Sequence, residues 1–152
     1  MRALIYSFFI FFGSLEALSL DLTLSQGTVE PTPIAISNFH STKNSEAKIG
    51  KNIALVISDN LERSGLFAPI DQKAFIQNPE SLSEQPRFED WKIIKAQHLI
   101  SGKILTNGSK ISVEFRLYDV FSQKELLAKK FETSMNNWRR VSHIISDAVF
   151  SR

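Results

Sequence analysis

The sequence predicts an α+β fold: a mixed sheet of about five strands with two long amphipathic helices packed on one face. Three observations carry that prediction. Apolar residues recur at helical spacing in two separate segments, from Ile49 to Leu61 and from Trp138 to Val149. Between them, Asn107-Gly108 joins two runs that alternate apolar and polar residues, the pattern of a β-hairpin. A chain of 152 residues with 43% apolar content can bury one real core and is too short for two comfortable domains.

The first nineteen residues stand apart from that domain. Met1-Arg2 is a short positive start, and Ala3 to Gly13 is an almost unbroken apolar run. Ala17-Leu18-Ser19 then places small residues where a signal peptidase cuts. The apolar run of about eleven residues falls short of the roughly 20 needed to span a bilayer. A cleaved secretory leader over residues 1–19 is therefore expected, with the mature chain beginning near Leu20. No further run has spanning length, so no membrane span is expected after cleavage. Cysteine is absent, which removes both disulfides and a lipidated cysteine at the cleavage site; stability must come from apolar burial.

The mature start, Leu20-Asp21-Leu22-Thr23-Leu24-Ser25, alternates strictly and then gives way to Gln26-Gly27-Thr28-Val29-Glu30 and two prolines. It is readable as an arm, a sheet member or a disordered terminus. An extended arm is expected over 20–32 and the folded domain over 33–152. Ile34-Ala35-Ile36 reads as a short strand with both isoleucines on one face. The helix that follows has Ile49, Ile53, Val56, Ile57 and Leu61 on one stripe, with Asn44 or Ser45 expected as its cap and Glu46 in its first turn. Gly65 is its left-handed stop. Leu66 to Ile70 reads as a strand whose proline places it at an edge or an end.

Ala74 to Pro86, with its Asn-Pro and Gln-Pro pairs, reads as an exposed loop. Phe88, Trp91 and Ile94 define a short helix. His98 to Leu105 and Lys110 to Val120 form a hairpin expected to turn through Asn107-Gly108 in type I′ geometry. Ile111, Val113, Phe115 and Leu117 share one face there. A second hairpin at Ser122-Gln123 leads to the strand Leu126 to Glu132. Asn136 to Arg152 closes the domain with a helix striped by Trp138, Val141, Ile145, Ala148 and Val149.

Composition and motifs exclude several functions. The 18 basic and 16 acidic residues are interspersed, leaving no basic stripe to follow a phosphate backbone, so nucleic acid is not an expected partner. His40, His98 and His143 are far apart and lack metal-ligand spacing with one another. His40 beside Ser41 lacks the acid and the oxyanion donors a hydrolase needs. Glu89-Asp90 and Asp59/Glu62 suit a solvated helix surface better than an acid and base pair. Gly50 inside a helix suits close packing rather than a phosphate loop. No cofactor and no enzymatic activity are expected. Arg139-Arg140 read as a solvated face, although the dipole disfavours them at a helix start; a partner carboxylate or loop carbonyl would relieve that.

Three blocks resemble the N-terminal domain of the TolB family. Pro33-Ile34-Ala35-Ile36 through Phe39 is similar to that family's first strand. Asp59-Asn60-Leu61-Glu62-Arg63-Ser64-Gly65-Leu66-Phe67 is similar to its helix-to-strand turn. Arg139-Arg140-Val141-Ser142-His143-Ile144-Ile145-Ser146-Asp147-Ala148-Val149-Phe150 is similar to its closing helix. The resemblance covers essentially all of the mature chain and implies the fold of that domain, which is anticodon-binding-domain-like. It also implies a non-enzymatic periplasmic adaptor of the Tol-Pal envelope system, with roles in outer-membrane integrity, constriction at cell division and protein import.

In that family the first mature residues bind the inner-membrane partner TolA. Carried to this chain, the partner-binding residues are Leu20, Asp21, Leu22, Thr23, Leu24, Ser25, Gln26, Gly27, Thr28, Val29 and Glu30, whose alternation suits strand addition to a partner's sheet edge. TolB proteins continue into a six-bladed propeller that binds the lipoprotein Pal, and this chain stops at Arg152. The expectation is a truncated TolB with Pal a doubtful partner. The alternative is a secreted small-molecule-binding or lipoprotein-associated module on the same fold.

Overall fold

A computed structural model describes residues 30–82 and 85–152 of the protein. The expected leader, and all of the expected partner-binding segment 20–30 except Glu30, lie outside the described residues. Five strands form one mixed sheet: β1 (Thr32–Ile36), β2 (Phe67–Pro69), β3 (His98–Asn107), β4 (Lys110–Asp119) and β5 (Lys124–Ser134). Their order is β2-β1-β3-β4-β5. β1 runs parallel to both neighbours, whereas β3, β4 and β5 form an antiparallel meander. β1 begins at Thr32, one residue before the expected domain start.

Two long helices, α1 (Asn44–Arg63) and α4 (Trp138–Phe150), cover one face as expected. The helical stripes supply Ile53, Ile57 and Leu61 from α1, and Val141, Ile145 and Val149 from α4. These meet Ile34 and Ile36 of β1, Ile100 and Ile104 of β3, and Ile111, Val113, Phe115 and Leu117 of β4. Every second strand residue joins this core because strand side chains alternate faces. Each fully buried aliphatic side chain contributes about 1.5–3 kcal/mol, which makes this the principal stabilising layer.

The segment 74–86 is not the exposed loop that its prolines suggest. With α2 (Pro79–Leu82), α3 (Phe88–Ile93) and a single 3₁₀ turn at Gln72–Ala74, the connection from β2 to β3 packs on the opposite face of the sheet. Leu82, Trp91 and Ala96 bury against Ala35, Leu99, Tyr118 and Val120 there. Gln77, only 3% exposed, holds this layer together. Its carboxamide nitrogen donates to the Gln85 carbonyl at 2.9 Å. Its oxygen accepts from the Arg87 backbone N–H at 2.8 Å and from the Trp91 indole at 3.1 Å. A buried polar side chain with all these bonds filled costs little to keep, and it cross-links a segment that has no regular ladder.

Two local expectations are corrected. α1 starts at Asn44, so Lys43 is its N-cap, and no side chain caps the helix there. Glu46 is nevertheless in the first turn, and it is buried. Gly65 is left-handed at φ 71°, as a helix stop requires. The β3–β4 turn is Gly108-Ser109, because Asn107 pairs with Lys110. Only Gly108 has positive φ, 60°, which is the type II′ pattern rather than type I′. Arg139 and Arg140 are exposed, as a solvated face requires, and the Arg139 guanidinium lies 5.1 Å from the half-buried Trp138 ring.

Candidate partner interface

Of the expected partner-binding residues, the structure describes Glu30. It is exposed, as is Pro31, and the chain passes directly from them into the sheet. The Thr32 N–H donates to the Leu66 carbonyl at 2.9 Å on one side, and the Pro33 carbonyl accepts from Gln97 at 3.0 Å on the other. The root of the arm is thus tied to two strands within three residues of Glu30.

A cleft of about 470 Å³ opens at this root, lined by Thr32, Phe67, His98, Leu117, Leu126, Val149 and Arg152. The Phe67 ring meets Phe150 edge-on at 5.9 Å. Arg152 donates through Nε and Nη2 to the Leu126 carbonyl at 3.1 and 2.7 Å. That carbonyl is free to accept because β5 carries a register irregularity opposite Leu117/Tyr118. His98 is half-buried, and burial pushes its pKa down despite the nearby Asp119 carboxylate. Leu66 and Phe121, both exposed, lie at this same end of the sheet, just before β2 and just after β4. The surroundings of the arm root are therefore mainly apolar, with one imidazole and one guanidinium.

The residues weighed for catalysis are not brought together. His40 forms an isolated bridge with Lys103, and His143 Nδ1 sits 2.9 Å from the Asn60 carboxamide. Glu89 pairs with Lys92, and Asp90 with Arg87, each at 2.7 Å on the surface of α3. Among the described residues, no group of three or more His, Cys, Asp or Glu could hold a metal ion. No helix among them is long and apolar enough to cross a membrane.

Sequence reasoning missed a buried polar cluster at the other end of the sheet. Glu46, its side chain 3% exposed, accepts from the hydroxyls of Ser41 and Thr106, with the Lys43 ammonium 3.6 Å away. Burial alone would raise its pKa, but those two hydroxyls and Lys43 together hold the carboxyl below its usual range. The cluster pins the start of α1 to the end of β3. The one sequence signal for it was an acid in a helix's first turn.

The two sheet edges differ. β2 is three residues long and ends in Pro69, which cannot donate to a ladder. β5 is eleven residues long and carries Lys124, Lys129 and Lys130, charges that oppose casual strand pairing.

Comparison with known proteins places this domain. The TolB amino-terminal domain family matches residues 20–126. A Tol-Pal system protein TolB from Pelagibacter ubique is 42% identical over 143 residues, covering 88% of this chain and 32% of that protein. The chain thus spans about a third of the length of that relative. In fold it matches the crystal structure of TolB from Acinetobacter baumannii, with a TM-score of 0.65 at 22% identity over 79% of this chain and 27% of that one. Lipoprotein GNA1162 from Neisseria meningitidis shares the fold more distantly, with a TM-score of 0.55 at 15% identity over 80% of this chain and 96% of that one. The extent of the family match, together with that identity, shows that this chain belongs to the TolB amino-terminal domain family.

Proposed function

We propose that the chain acts as a non-enzymatic adaptor domain of the Tol-Pal envelope system in the periplasm, binding TolA through the arm Leu20 to Glu30. The observation that carries this reading is the family match itself, which begins at residue 20 and so takes in the whole arm. Two features support it. The arm's alternation gives one leucine face and one polar face, as strand addition to another protein's sheet requires. The arm also joins the domain at a tightly bonded root flanked by exposed apolar residues. Such an arm gains main-chain hydrogen bonds on binding but must be ordered to do so, so moderate affinity is expected. Roles in outer-membrane integrity, division and import follow from the Tol-Pal assignment, and no cofactor is needed for any of them.

Titration calorimetry of the leaderless chain against the periplasmic part of TolA tests the reading. Binding is expected with the arm present and absent once residues 20–30 are removed. Binding that survives removal of the arm, or no binding by the chain with its arm intact, overturns it. Fusion of the full chain to a reporter active only after export tests the periplasmic assignment separately.

A further inference from the structure

The connections leaving the two short parallel strands depart on opposite faces. β1 leads into α1, which packs over Ile34 and Ile36. β2 leads into the layer of Leu82 and Trp91, which packs over Ala35 and Leu99. Adjacent parallel strands whose connections diverge in this way leave a crevice at their carboxyl ends, the place where open α/β sheets bind ligands. A crevice of about 630 Å³ opens there, walled by the segment leaving β1, by the first turns of α1 and by the start of α2. It lies at the opposite end of the sheet from the arm root.

The crevice has a rigid floor. Phe39 is 2% exposed and donates its N–H to the Gly50 carbonyl at 3.3 Å. A Cβ on Gly50 would stand 2.1 Å from the Phe39 carbonyl oxygen, so this close approach of helix and strand exit needs glycine. His40 is fixed to β3 on both sides, donating to Gly102 and accepting from Ile104, each at 2.8 Å.

The polar lining mixes His40, Ser41 and Asn44 with two lysines and two further carboxamides, and its formal charge is net positive. Lys48 and Lys51, exposed and three residues apart on α1, have no ion-pair partner among the described residues. Asn38 lines the crevice, and its carboxamide oxygen is buried without a partner. Asn78 uses its oxygen to accept from the Ser81 N–H at 2.9 Å, leaving its NH2 free. Glu80 is the one acid on the wall. Glu46 does not offset the lysines, because Ser41, Thr106 and Lys43 already engage its carboxylate.

We propose that this crevice binds a small oxyanion-bearing molecule, a phosphate ester or a carboxylate, between Lys48, Lys51 and the carboxamides of Asn38 and Asn78. Among the described residues, the lining lies at the opposite end of the sheet from Thr32, so TolA binding and anion binding can be tested separately.

Amide-resolved NMR of the full chain tests it, with inorganic phosphate and citrate titrated separately and chloride holding the ionic strength constant. Saturable shifts confined to the amides of 38–51 and 78–80 are expected with at least one probe. Phosphate alone, citrate alone or both would support the site and identify which oxyanion it prefers. Lys48→Gln with Lys51→Gln, both exposed and so tolerated by the fold, should weaken binding by at least about tenfold, because two charge-assisted contacts are lost. Lys129→Gln on β5 should leave it unchanged. Shifts that never saturate, that chloride reproduces, or that survive the double substitution overturn the proposal.

Discussion

The two faces of the sheet are held by different physics. The helix side is a continuous aliphatic layer in which Ile53, Ile57 and Leu61 of α1 and Val141, Ile145 and Val149 of α4 meet alternate residues of three strands. The opposite side is a patch in which short helices and turns are gathered around Trp91, cross-linked among themselves by Gln77 and tied to β1 by Gln72, whose carboxamide nitrogen donates to the Ile36 carbonyl. Removing apolar area should weaken the first layer roughly in proportion to what is lost. The second layer should fail through a single unsatisfied polar group. Dispersed packing thus underwrites the domain as a whole, while a few side-chain hydrogen bonds, most of them on Gln77, organise the β2–β3 connection.

The largest expected effect comes from the helix side. Leu61→Ala should cost about 2–5 kcal/mol, read as a lower urea midpoint with an unchanged slope, because a fully buried side chain leaves a cavity that the sheet cannot fill. Next comes Gln77→Ala, at about 1–3 kcal/mol, since it strands the Trp91 indole and the Arg87 N–H in the interior. Hydrogen exchange should then accelerate across residues 75–97 while β3 and β4 stay protected. Equal acceleration in α1 would break the contrast and make the two faces one cooperative unit.

A smaller effect is expected from pH. The Glu46 carboxyl is held below its ordinary value of 4.5, so as pH falls below that value the unfolded chain takes up its proton first and stability drops. Glu46→Gln should flatten that part of the stability profile between pH 5 and 3 relative to wild type, as measured by urea unfolding; an unchanged profile would dissociate Glu46 from acid sensitivity. Glu89→Gln, which removes an exposed pair with Lys92, should change stability by about 0–1 kcal/mol. A larger change would mean that the surface of α3 contributes to the second layer.

The contrast between the faces also explains what could be read from the residues. Ile49 to Leu61 and Trp138 to Val149 announce their helices because a stripe facing one core repeats every three or four positions. The alternation from Ile111 to Leu117 announces β4 for the same reason at a period of two. Gln77 announces nothing, since its partners Gln85, Arg87 and Trp91 lie eight to fourteen residues away and no period links them. Proline and serine nearby made that stretch look solvated.

The cap and the turn failed for a related reason. Glu46 is bonded to Thr106, sixty positions along the chain, so tertiary contacts rather than a local cap fix where α1 starts. The turn sits on Gly108-Ser109 because the ladder that places Gly102 opposite Phe115 sets the register, and the Asn-Gly preference yields to it. At the arm, alternation from Leu20 to Ser25 was visible, whereas the cleft at its root is assembled from residues scattered between Thr32 and Arg152, which no local pattern connects.

The position of β1 has a mechanical consequence. A load pulling on the arm would enter the fold at Thr32, in a strand bonded to β2 on one side and β3 on the other. Drawn along its own axis, such a strand cannot be peeled open one bond at a time; both ladders are sheared together. A domain tethered by this arm would therefore transmit tension into an interior strand of its sheet, one in from the β2 edge, where resistance is governed by the height of the unfolding barrier rather than by equilibrium stability.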